Sequence, residues 1–267
     1  MGTSTNQTRP HKPIVVGGPN PTNIKRRPKV SLVLPCFNEN DRILETLSRL
    51  FRQSIFKDTE IILCEYNPAN DPYLRDLVER MANVRYLEIG RAGIAFARHM
   101  GIMKSNSQVI CNFDGDCEFL DNKCLENLTK PILDKECILT VCDNMFDLVE
   151  VPVNELSRMD MPVKVANMLN NLQRTTPLAI LEPGSCFSKE AYLFIGGFDD
   201  TKQYELFMLN NRFMYHYNSF QNLLFGGKRG QQHKKHISDA AVIVSSRRAI
   251  KWSERGLEVL DYANAYR

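Results

Sequence analysis

The segment QVICNFDGDCEF places two aspartates, Asp114 and Asp116, on either side of Gly115 directly after an apolar run that ends at Phe113. Ligands of open α/β sheets bind beyond the carboxyl ends of the strands, so a buried run ending in acids marks a crevice. Two carboxylates this close repel one another unless a cation lies nearby. Hard oxygen donors at that spacing suit Mg²⁺ or Mn²⁺, with a diphosphate completing the coordination shell. An ordinary acidic turn is the plain alternative, and the strand-end position argues against it. Other apolar runs end in polar groups of the same kind: Pro35, Phe37, Asn38 and Glu39 follow VSLVL, and Glu65 closes EIILC. The segment GRAGIAFARHMG adds Arg91 and Arg98, charges that can meet a phosphate near a helix N-terminus, and Gly93, where backbone can approach a ligand.

These groups need a scaffold, and the hydrophobic pattern supplies one. Apolar, β-branched runs at 30–36, 59–65, 84–89, 108–113 and 137–142 alternate with helical periodicity at 41–53, 71–81, 92–105 and 121–134. That alternation predicts βαβ units around a mainly parallel sheet with helices on both faces, an α/β fold. Strands that are apolar throughout fit a sheet covered on both sides. Beyond residue 146 the pattern loosens: helices are expected over 160–173 and 247–260, and a strand over 240–245. Residues 1–29 read as a flexible leader with a basic cluster at Lys25, Arg26, Arg27 and Lys29 that could touch an anionic membrane surface. Residues 30–267 read as a single domain, with 30–145 forming one half and 146–267 the other.

Composition removes other classes. The chain has 267 residues, and its 34 Lys+Arg against 31 Asp+Glu leave a formal charge of +3, too little for nucleic acid to be the main partner. No apolar run is long enough to cross a bilayer, and the N-terminus lacks the form of a secretory signal. The eight cysteines form no CxxC pairs and lie mostly in apolar stretches, as expected of core residues in a soluble, cytoplasmic protein of a reducing compartment.

Taken in order, VSLVLPCFNEN, GRAGIAFARHMG, the FDGD pair, EPGSCFSKEAYLFIGGFDD and SSRRAIKWSERG resemble the family 2 glycosyltransferases of the GT-A fold over about residues 30–255. The resemblance implies a metal-dependent, inverting transfer of a sugar from a nucleoside diphosphate sugar to a hydroxyl acceptor such as a glycan. Residues 30–145 become the nucleotide-sugar-binding half and 146–267 the acceptor-binding half. Pro35, Phe37, Asn38, Glu39, Glu65, Arg91, Gly93, Arg98, Asp114, Gly115 and Asp116 would line the donor site. Asp114 and Asp116 would hold Mn²⁺ or Mg²⁺, with Asp116 the direct ligand and His236 or His233 reaching the metal from the C-terminal side. Gly184 and Ser185 would lie beside the acceptor.

Two departures from the family pattern matter. The second strand ends in CEYNPANDP, not Asp-Asp-Gly-Ser. Glu65 can accept the N3–H of uracil or the N1–H and N2–H of guanine, so UDP and GDP both remain open. The family also places Glu-Asp after GGFD, whereas TKQYELFMLNNRF offers Glu205 followed by Leu206. Glu205 is the candidate base; Asp199 and Asp200 are fallbacks. The second reading is a nucleotide-sugar-binding module, or a subunit of a glycosyltransferase complex, without turnover of its own. A haloacid-dehalogenase phosphatase is disfavoured because Cys117 follows the acidic pair and the pair follows the fourth strand. PCFNEN is not the glycine-rich loop of a sugar-phosphate nucleotidyltransferase.

Overall fold

A computed structural model describes residues 27–37, 40–66, 72–91, 93–149, 151–175, 183–198, 209, 212–213, 215–216 and 232–246. The expected leader up to residue 26, the 247–260 helix and the segments carrying Asn38, Glu39, Asp199, Asp200 and Glu205 lie outside the described residues.

Strands β1 (Val30–Cys36), β2 (Thr59–Glu65), β3 (Val84–Glu88) and β4 (Val109–Asn112) alternate with helices α1 (Asn40–Leu50), α2 (Pro72–Glu79) and α3 (Ile94–Lys104). After β4 come β5 (Cys117–Phe119), α4 (Cys124–Leu133), β6 (Cys137–Phe146), α5 (Asp160–Thr175), β7 (Cys186–Ser188), α6 (Lys189–Phe194) and β8 (Gln232–Val244). All eight strands join one sheet in the order β3-β2-β1-β4-β7-β6-β8-β5. Pairing is parallel through β3-β2-β1-β4 and between β6 and β8, and antiparallel where β7 meets β4 and β6 and where β5 meets β8.

Every residue of β2 is buried, as a strand covered on both faces must be. Leu32, Leu34, Ile61, Leu63 and Cys111 point to one side, against Ile43 and Leu47 of α1, Leu74 and Val78 of α2, and Leu125 and Leu128 of α4. Val33, Ile62 and Ile110 point to the other side, against Ala97 and Ile102 of α3, Tyr192 of α6 and Phe213. In α1 the residues Ile43, Leu47 and Leu50 return at helical spacing and carry the buried stripe. All eight cysteines are buried and unbridged, the core role their apolar surroundings predict, and burial pushes the Cys64 and Cys137 thiols up to about 12.

Three elements depart from the sequence reading. β5 and β7 are three residues each, too short for a two-residue period to register. β8 begins at Gln232, eight residues before the expected strand start at 240, and runs through the charged stretch HKKHISD. Its register with β6 holds that polar segment in the sheet, with a break in register between Val141 and Asp143.

The end of the sheet that receives the acidic pair depends on one close approach. A Cβ at Gly101 of α3 would lie 2.5 Å from Val33 Cγ1 and 2.7 Å from Cys64 Sγ. Gly101→Ala is therefore expected to overpack the α3–sheet contact, costing about 1–3 kcal/mol. A drop of roughly 5 °C in melting temperature would register it, and an unchanged midpoint would show that α3 can shift freely.

Candidate functional site

A cleft of about 370 Å³ opens at the carboxyl ends of β1, β2 and β4, lined by Pro35, Cys36, Phe37, Tyr66, Gly93, Ile94, Ala97, Asp114, Gly115 and Asp116. At one end Phe37 and Tyr66 stack with ring centroids 5.4 Å apart and planes 28° from parallel. Phe37 keeps 52% of its surface exposed, so it offers an aromatic wall to a planar group. Along the middle runs the N-terminus of α3, which begins at Ile94 after the N-cap Gly93. Its unpaired backbone N–H groups and positive dipole end favour an anion there.

Asp114, Gly115 and Asp116 close the other end, and three elements hold this turn. From α3, Arg98 Nη2 donates to Asp114 Oδ1 at 2.6 Å, with both side chains almost fully buried. From α1, the Thr46 hydroxyl donates to the Gly115 carbonyl at 2.8 Å. From the turn before β7, Gly184 N–H donates to the carbonyl of Asn112, the last residue of β4, at 2.7 Å. Asp116 is half-buried on the cleft wall, and the Cys117 thiol donates to its Oδ1 at 3.7 Å.

Ligand atoms of Asp114, Asp116 and Cys117 lie within 4.8 Å of one another. Two carboxylates suit a hard cation such as Mg²⁺ or Mn²⁺, so the donor chemistry fits the expected metal. The thiol is the softer group and is turned toward a carboxylate as a donor. Arg98 already offsets the charge of Asp114, which leaves Asp116 as the carboxylate better placed for direct ligation.

The sequence candidates thus fall into three sets. Pro35, Phe37, Gly93, Asp114, Gly115 and Asp116 come together in the cleft. Glu65 sits at the end of β2 next to Tyr66 but is 4% exposed and does not line the cleft. Arg98 is bound to Asp114, where the sequence reading had it meeting phosphate, and Arg91 lies over the Phe96 ring at 5.1 Å. Gly184 has φ of +89° and packs so closely on Val242 and Cys142 that a side chain has no room. Ser185 beside it is 2% exposed. His236 lies on β8, and its Nε2 is 2.9 Å from Asp143 Oδ1. It does not belong to the acid–thiol group around Asp116. His233 is on the same strand, with its side chain outside the described residues. His99 pairs with the Tyr192 hydroxyl at 2.7 Å, a structural role, and Tyr215 is 85% exposed.

Sequence reasoning missed Tyr66, Thr46, Asp143 and Arg174. Tyr66 was within its reach, since the residue after β2 sits at a strand end by the same rule that selected Glu65. Thr46 was not, because nothing in a helical pattern shows which outward turn a hydroxyl will meet.

A four-strand parallel core extended by antiparallel β7, with an acidic pair just past the carboxyl end of β4, defines the GT-A glycosyltransferase fold. The chain belongs to glycosyl transferase family 2, whose sequence profile matches residues 31–193. Two solved structures support the fold. Mannosyltransferase PcManGT from Pyrobaculum calidifontis, in complex with GDP-Man and Mn²⁺, is 17% identical with a TM-score of 0.57, over 86% of this chain and 59% of that one. S. aureus TarS 1–349 is 14% identical with a TM-score of 0.58, over 86% of this chain and 64% of that one. The chain therefore spans about three fifths of the length of these neighbours. No curated protein matches it in sequence. Among the described residues no helix is long and apolar enough to cross a membrane.

Proposed function

We propose that the protein transfers a sugar from a nucleoside diphosphate sugar to a hydroxyl acceptor, a glycan in the simplest case, with inversion and with Mn²⁺ or Mg²⁺ as cofactor. The observation that carries this reading is the cleft that runs from the Phe37–Tyr66 stack, past the N-terminus of α3, to Asp114 and Asp116. Its order matches the order of groups in the donor: planar base, diphosphate, sugar. The complex of PcManGT with GDP-Man and Mn²⁺ supports both the donor class and the metal.

In this reading Phe37 and Tyr66 stack on the base. The backbone N–H groups of α3 meet the diphosphate. Asp116 holds the cation, with Asp114 behind it. When bound, the cation acts as a Lewis acid on the leaving diphosphate. The acceptor hydroxyl lies on the Gly184–Ser185 side and must lose its proton to a base as it attacks; Glu205 is the sequence candidate. Mass-action stabilisation tests the donor site. UDP-glucose or GDP-mannose with Mn²⁺ is expected to raise the melting point, by the equivalent of about 2.7 kcal/mol at a hundred times Kd. Absence of any shift with either donor, with or without metal, would overturn this reading.

Leu206, standing where the family carries an acid, favours the second reading of a donor-binding module without turnover. Release of nucleoside diphosphate by the pure protein separates the two.

A further inference from the structure

On the acceptor side of the same sheet edge lies a second acid-base cluster that the donor cleft does not use. Strand register fixes its place. Cys111 of β4 faces Cys186 of β7, which faces Thr140 of β6, and Val141 faces His236 of β8. One residue on from Cys111, Asn112 N–H donates to the Ser185 carbonyl. Asn112, Ser185, Val141 and His236 therefore form one transverse row across four strands. β4 and β6 run in the same direction, since each is antiparallel to β7. Two residues beyond that row stand Asp114, just past the end of β4, and Asp143 on β6. β7 alone separates the two strands, so along the paired row their backbones are about 10 Å apart. The Gly184–Ser185 turn enters the sheet between them.

The side chains of the cluster are built around one carboxylate. Asp143 Oδ1 is 2.9 Å from His236 Nε2 and accepts from Arg174 Nε at 3.2 Å. Arg174 Nη2 pairs with the other oxygen, Oδ2. The guanidinium comes from α5, so β6, β8 and α5 all contribute. A carboxylate in this setting accepts, so the imidazole proton sits on Nε2 and the lone pair on Nδ1. Among the described residues none hydrogen-bonds that Nδ1. The side chain of His236 retains 10% of its exposure, and that of Asp143 retains 16%. Charged groups facing the ring are Asp143 from β6, Arg174 from α5 and Lys234 from its own strand. Burial first, then Arg174 and Lys234, hold the imidazole below its ordinary range. It is thus neutral, and able to take a proton, at physiological pH.

We infer that His236, oriented by Asp143 and Arg174, is the group that accepts the proton of the acceptor hydroxyl. This rests on the glycosyl-transfer reading and supplies the base that Leu206 leaves in doubt. In the step, the hydroxyl oxygen forms a bond to the anomeric carbon. The bond from that carbon to the diphosphate oxygen breaks, and its electron pair leaves with the nucleoside diphosphate. The hydroxyl proton moves to Nδ1 of His236. His236 touches the reacting atoms; Asp143 and Arg174 position it.

The test uses the full chain with Mn²⁺ and whichever of UDP-glucose and GDP-mannose raises its melting point, following nucleoside diphosphate release with water as acceptor. His236→Gln is expected to keep the donor-induced rise in melting point while release falls at least about a hundredfold. In the wild type, log rate should fall on the acid side of the ordinary imidazole range, where this depressed imidazole becomes protonated, and that acid limb should be missing from the residual rate of the variant. Asp143→Asn should keep donor binding and move the limb, because the ring loses its charged partner. A His236→Gln variant that binds donor and turns over at the wild-type rate with the same acid limb overturns the inference, most plainly if Glu205→Gln abolishes release. A wild type that binds donor but releases no nucleoside diphosphate overturns it as well. If no donor binds the wild type, the donor-site reading fails first and the base assignment fails with it.

Discussion

Asp116→Asn is expected to lower turnover of the donor by a factor of about a thousand or more and to remove the metal-dependent part of its stabilisation. The substitution keeps size and hydrogen-bonding capacity and removes one negative charge from the cleft wall. Asp114 cannot take over, since Arg98 holds it at 2.6 Å in an almost fully buried pair. The cation then loses the carboxylate on the cleft wall, and the leaving diphosphate is left with the backbone N–H groups of α3 to offset its charge. Nucleotide binding without metal should persist, because the Phe37–Tyr66 stack is at the other end of the cleft. Melting curves with UDP or GDP, each with and without Mn²⁺, separate these contributions. An Asp116→Asn protein that still gains stability from Mn²⁺ with the nucleotide would place the metal elsewhere.

The parallel half of the fold and the cleft at its carboxyl ends were legible in the sequence for one reason. β1, β2 and β4 are largely apolar, buried runs, and each is followed at once by residues that face the cleft. Phe37, Gly93, Asp114 and Asp116 could be found from position alone. The rest of the sheet was less legible because its strands do not carry that signal. β7 is three residues long, and β8 takes HKKHISD into the sheet by pairing with β6, a long-range contact that no local period records. His236 was picked as a metal candidate from its place in the chain, yet its register sets it on Asp143, a residue with no local distinction in TVCDNMF. Arg98 shows the same limit. An arginine in a glycine-flanked helix reads as a phosphate ligand until the buried carboxylate facing it is known.

That buried pair also predicts the largest loss of stability. Arg98→Met leaves the aliphatic packing of the side chain and removes its charge, so Asp114 is left buried beside Asp116 without its guanidinium. Breaking a buried pair from one side costs about 3–5 kcal/mol, because the remaining charge has lost its solvent and its partner together. At about 2–4 °C per kcal/mol for a chain of this size, the melting point should fall by roughly 10 °C. Asp114→Asn in the same molecule should recover much of that loss, since it removes the stranded charge and leaves an amide. The two substitutions are thus expected to be strongly non-additive, as contacting partners are. Excess Mn²⁺ should stabilise the Arg98→Met protein more than the wild type, because a cation at the acidic turn replaces the missing positive charge, and the gain should shrink in the double variant. Additive losses, with no extra response to Mn²⁺, would show that Arg98 acts as packing alone and that the charge of Asp114 is balanced by another group.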